Sequence, residues 1–238
     1  MSSTSTPATG QDRLGTEPRV AVVFVAPEPD QRDSARLVAL GVVMLASGAF
    51  LIVMFVSLAR GGSAAPWGPI NDLLSAAANV LLASLVPRIS RGAARTARER
   101  GFVRLIAGTC LVAAASGVLL VAQVLPFEPS TAISMVAITL QAAWMAWLNT
   151  AWSRDPRMPR SIWRTGGGVG YGLAAGFALT GASFLFPWGS AAAKALLYPG
   201  IALGGALWLA WPLWFVLLGR HLRPAAEADT STHDQPDA

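Results

Sequence analysis

The chain reads as an all-α integral membrane protein with six transmembrane helices and both termini on the cytoplasmic side. Three observations lead there. Of its 238 residues, 53% are hydrophobic and only 13% are charged, roughly half the charged share of an ordinary soluble domain. The apolar residues are gathered into six long runs, and a bilayer core about 30 Å thick needs about 20 apolar helical residues to cross it. Sixteen of the eighteen Lys and Arg residues fall on one side of the map that those runs define.

The runs cover residues 37–59, 71–87, 104–125, 131–152, 165–186 and 197–219. The second is the shortest and extends outward through Trp67 to Ile70. With their connections they form one membrane domain, 35–222, leaving no length for a separate soluble domain. Residues 1–34 and 223–238 are polar and charged and read as disordered cytoplasmic tails. An apolar stretch at 20–26 interrupts the first tail behind Arg19. It is at the short limit for a signal-peptide core and is read as a short strand or a membrane-surface contact.

The basic residues set the orientation. Arg13, Arg19, Arg32 and Arg36 precede the first run; Arg88, Arg91, Arg95, Arg98, Arg100 and Arg104 follow the second. Arg154, Arg157, Arg160 and Arg164 follow the fourth, and Arg220 and Arg223 the sixth. Only Arg60 and Lys194 fall opposite. The positive-inside rule places the arginine-rich side in the cytoplasm. A gained or lost span would scramble the alternation, so the charges check the span count. The same pattern reassigns a pI near 10.6. These arginines orient helices in the cytoplasmic membrane and meet anionic lipid at the inner leaflet; a nucleic-acid partner is not expected.

The arginine-poor connections are short and share a Pro-aromatic corner: Pro66-Trp67-Gly68, Pro126-Phe127-Glu128 and Pro187-Trp188-Gly189, 60 and 61 residues apart. Three tandem helical hairpins would give this spacing. So would any series of short-looped hairpins with Pro and Trp at the interface.

Several function classes are poorly supplied. One cysteine, Cys110, provides neither an internal disulfide nor a C-x-x-C motif. His221 and His233 lie at or beyond the last run, which leaves no intramembrane two-His haem site or His-based triad. No paired carboxylates or metal-ligand cluster stand in the runs, so neither a cofactor nor enzymatic chemistry is expected. The glycines of 166–172 follow no strand and no Lys-Ser/Thr closes them, unlike a phosphate-cradling loop.

Polar side chains inside a bilayer are costly and therefore informative. Asp72 is the only carboxylate within a hydrophobic span. Beside Pro69 and Asn71 it suits a helix N-terminus, where negative charge meets the positive end of the dipole. The functional reading is an outward-facing contact for an ion or substrate. Asp72, Ser75 and Asn79 share one helical face, and Asn79 lies roughly 12 Å deeper than Asn71. Gln141 reaches a similar depth, about 15 Å, with Ser134 on its own face. Two such stripes facing each other would line a polar pathway. The other reading is structural, as interhelical hydrogen bonds worth about 0.6 kcal/mol each.

Gly168, Gly172 and Gly176 repeat at four-residue spacing and lead to Thr180. Gly166, Gly170 and Ala174 form a second ridge, and the sixth run carries Gly200 and Gly204. Small residues let helix backbones approach where no hydrophobic force drives them together. The pattern predicts close packing of the fifth and sixth helices, or a homo-oligomer seam. Trp144, Trp147, Trp208, Trp211 and Trp214 fall toward the inner side and suit aromatic packing and an inner-leaflet belt ahead of an aromatic cage for a cationic ligand; Trp67, Trp152, Trp163 and Trp188 suit the two interface levels. Pro212 predicts a kink in the sixth helix.

The run WGPINDLL and the ending YPG…WLAWPLWFVLLGRHL resemble uncharacterised six-span membrane proteins of high-GC actinobacteria. The resemblance covers most of the membrane part and implies an integral membrane protein; it carries over no catalytic residues. The expected role is structural, scaffolding or regulatory. The alternative is a small transporter or channel subunit using the polar face of the second and fourth helices.

Overall fold

Helix ends are decided by capping, and they reach past the apolar runs. The computed structural model describes residues 30–223; the rest of both tails, the 20–26 stretch and His233 lie outside the described residues. Among the described residues there are six helices and no strand: α1 Gln31–Ala59, α2 Trp67–Ile89, α3 Ala97–Val121, α4 Phe127–Trp152, α5 Arg160–Ser183 and α6 Ala191–His221. Asp30 caps α1 by accepting from the Arg32 amide. Thr96 and Glu99 form a reciprocal capping box at α3, and Ser190 accepts from the Ala193 amide at α6. Each cap satisfies amides that would otherwise lack a partner, so helix begins one to two turns before the hydrophobicity does.

Five of the six helices are long and apolar enough to cross a membrane. The one that falls short is α5. Its first half is glycine-rich and carries Arg160 and Arg164, which dilutes its hydropathy without shortening it.

Every helix packs on its neighbours in the chain, and α1 closes on α6. The result is a closed six-helix ring. At its arginine-rich end, Ser34 Oγ of α1 donates to the Gly219 carbonyl of α6 at 2.7 Å. Arg88 of α2 pairs with Asp33 of α1 at 3.2 Å. Trp144 Nε1 of α4 donates to Ser90 Oγ at 3.0 Å, and Trp214 Nε1 of α6 donates to the Ile162 carbonyl of α5 at 3.2 Å.

The arginine-rich half of the ring is filled. Trp144, Trp152, Trp211, Trp214 and Phe215 are fully buried there with Leu37, Leu85, Ile89, Met145 and Leu148. Trp152 stacks on Trp214 at 6.1 Å, and Trp214 meets Phe215 edge-on at 5.0 Å. Trp144, Trp211 and Trp214 form a core plug, which is the aromatic packing of the sequence reading and not its belt, and Trp152, at the end of α4, is buried with them. A ring of six helices encloses more volume than small side chains fill, and large aromatics fill it most economically. Trp188 does lie exposed, stacked on Phe184.

The hairpin pattern holds at two corners and changes at the third. Pro66 and Pro126 each immediately precede a helix that starts on the aromatic residue. After Pro187 the chain continues through Trp188 and Gly189, and α6 starts only at Ala191.

The glycines of α5 divide between two neighbours. A Cβ on Gly176 would stand 2.6 Å from the Gly204 amide nitrogen, and one on Gly200 would stand 2.7 Å from the Thr180 amide nitrogen. Gly172 faces Leu207. These residues form the α5–α6 seam. Gly170 faces the backbone of Ala146, and Gly166 faces Asn149 and Trp214, so the second ridge packs largely on α4. Gly168 is a correction: it is exposed, and a Cβ there would meet nothing within 4 Å. The 3.6-residue turn carries a strict four-residue repeat slowly round the helix, and Gly168 has turned out of the seam that Gly176 occupies.

Candidate functional site

In the arginine-poor half, many of the inward side chains are small. Ser47, Ala76, Ala78, Ala113, Gly117, Ser130, Ala137, Gly200 and Gly204 leave a space between the helices that the larger lining residues do not fill. The chamber measures about 450 Å³ and takes lining from all six helices, within the size range of small-molecule sites. Phe127 and Thr131 at the start of α4 both line it and are exposed, so it reaches the surface at the arginine-poor end. Trp208, Trp211 and Pro212 of α6 stand at its floor, above the aromatic plug.

All five residues of the sequence-derived polar stripes line this chamber: Asp72, Ser75 and Asn79 from α2, Ser134 and Gln141 from α4. Gln141 Nε2 donates to Asn79 Oδ1 at 2.9 Å and to Cys110 Sγ of α3 at 3.3 Å. Asn79 Nδ2 turns back to the Ser75 carbonyl at 2.9 Å. Ser75 Oγ lies 2.8 Å from Ser47 Oγ of α1, which donates to Asn71 Oδ1 at 2.7 Å. The Asn79 and Gln141 amides thus bridge helices and line a cavity at once.

Asp72 is not a helix cap. The helix starts at Trp67 with Pro66 before it and no side-chain cap, which puts Asp72 more than a turn inside. Proline suits helix starts because it lacks the amide that would go unpaired, and here that role belongs to Pro66 at the very boundary. Asp72 Oδ1 accepts from Asn71 Nδ2 at 3.2 Å. Among the described residues its carboxylate joins no ion pair, and the chamber lining contains no Lys, Arg or His.

No family profile, curated protein or solved structure matches this chain.

Two further features mark the floor. Trp211 is 1% exposed, and its Nε1–H has no acceptor. Pro212 has no amide hydrogen, so the Trp208 carbonyl loses its usual intrahelical donor. Among the described residues, no three His, Cys, Asp or Glu side chains come together.

Sequence reasoning passed over Ser47 and the Ser116–Ser130 pair, whose hydroxyls lie 2.9 Å apart between α3 and α4, and gave Asn71 and Cys110 no part in the polar stripes. One signal was present. Ser47 and Ser57 are the only hydroxyl residues of the 37–59 run, and a polar group in such a run asks for a partner.

Proposed function

We propose that this protein is a six-span protein of the cytoplasmic membrane, with both termini inside, that binds a small molecule in a chamber open toward the outer face. The observation that carries this is the chamber itself, lined by the polar faces of α2 and α4 and closed beneath by buried tryptophans. It favours the transporter or binding-subunit reading over a purely structural scaffold, since a scaffold gains nothing from an unfilled core. The arginine distribution supports the orientation. The packing of α5 between α4 and α6 supports counting it as the sixth span. The reading is non-enzymatic: amides, hydroxyls and one carboxylate supply binding contacts but no acid–base pair.

Cysteine accessibility tests this directly. Cys110 is fully buried, so the wild-type chain is a silent background. Ser134→Cys and Ser75→Cys in intact cells are expected to react with a membrane-impermeant methanethiosulfonate added outside. Unreactive thiols at both positions would mean a sealed cavity and return the protein to a structural role.

A further inference from the structure

The chamber's lining constrains what it can hold. Its only formal charge is the Asp72 carboxylate, and no basic side chain lines the space to neutralise it. A half-buried carboxylate without a lining cation either takes up a proton or takes a cationic partner from outside the chain. The remaining polar contributors are hydroxyls and amides. The rest of the wall is apolar and partly aromatic, with Phe127, Phe177, Trp208 and Trp211, and aromatic faces attract organic cations.

A second observation concerns access. Ile201 and Gly205 line the chamber and are also exposed, well inside α6 rather than at its end. A Cβ on Gly205 would meet nothing within 4 Å. The chamber wall is therefore thin at membrane depth as well as open beside α4, which suits a ligand that partitions into the outer leaflet.

We infer that the chamber takes an amphiphilic organic monocation, its ammonium against Asp72 and its apolar body on the aromatic floor formed by Trp208 and Trp211. The inference rests on the small-molecule reading above and narrows it to a ligand class. A dianion or a phosphate ester is disfavoured, because it would face Asp72 without a single lining cation.

The test uses the full chain in nanodiscs, titrated with benzyltrimethylammonium, its neutral isostere neopentylbenzene and the anion phenylmethanesulfonate. The cation is expected to bind best and the anion not at all. Asp72→Asn is expected to weaken the cation at least about tenfold while leaving the neutral compound unchanged, since the ion pair is lost. Asp72→Glu is expected to restore most of the difference. Equal binding of cation and neutral isostere, with Asp72→Asn silent, overturns the monocation inference and leaves the chamber reading standing. Binding of the cation to Ser134→Trp, which fills the chamber, as tightly as to wild type overturns both. So does failure of every compound to bind the wild type. Thermal unfolding of each variant, expected within a few degrees of wild type, separates lost binding from lost fold.

Discussion

Gln141 ties three helices together through one amide, accepting the cost of a polar group at membrane depth. Its Nε2 serves Asn79 on α2 and Cys110 on α3, while its chain runs along α4. Gln141→Leu leaves Asn79 Oδ1 without that donor, but at the wall of a chamber that water can enter. The expected destabilisation is therefore modest, about 0.5–1.5 kcal/mol, read from unfolding in detergent. Gly176 and Gly204 offer a sharper contrast. They face each other in one seam, and their sequence neighbourhoods look alike. A Cβ on Gly176 would drive into the backbone of Gly204 at 2.6 Å, whereas a Cβ on Gly204 would find its nearest neighbour at 3.7 Å. Gly176→Ala is expected to cost about 1–3 kcal/mol through overpacking and Gly204→Ala close to nothing, measured by the same unfolding assay. The spacing of small residues announced the seam. Which partner's hydrogen points across it depends on helix rotation, which no spacing reveals.

Among the elements, α1 carries an instructive pattern. Ser34, Gly41 and Gly48 recur every seven residues and are all buried, meeting Gly219, Pro212 and Trp208 of α6 in turn. This seam closes the ring. A Cβ on Gly41 would stand 2.7 Å from the Pro212 carbonyl, backbone that cannot step aside. Gly41→Val is expected to open the α1–α6 contact and shift the protein to aggregated fractions in size-exclusion chromatography. Gly181→Val, where a Cβ meets nothing within 4 Å, is expected to elute as wild type. The heptad was legible in the sequence beside the more conspicuous glycines of α5. Helix ends were less so. The apolar runs begin late at α3, α5 and α6 because hydropathy marks the lipid boundary, while Thr96 with Glu99, Pro159 and Ser190 mark where the helix starts.

The whole molecule is a ring with two unlike halves. The arginine-rich half buries Trp144, Trp152, Trp211 and Trp214 and carries the described ion pairs, Asp33 with Arg36 and Arg88 and Asp155 with Arg157, whose arginine side chains stay exposed. The arginine-poor half keeps many small inward side chains and the chamber. Orientation is testable at this scale on the silent background of Cys110. Gln123→Cys and Ser190→Cys are expected to label with an impermeant maleimide in intact cells. Ser153→Cys and Arg91→Cys are expected to label only after permeabilisation. The reverse pattern would invert the protein in the membrane and point the chamber at the cytoplasm.

Hydropathy and charge, both one-dimensional, were enough to read helices, the number of long apolar runs and a polar stripe on α2 matched in depth by one on α4. These properties follow from the bilayer's thickness and from the helix's fixed rise and turn, which apply to any chain. Tertiary structure alone decided that α1 meets α6, that four tryptophans turn inward and that the two stripes border a space instead of a solid seam. Those outcomes depend on how each helix rotates about its axis and on which residues its neighbours present, and a linear pattern leaves both open.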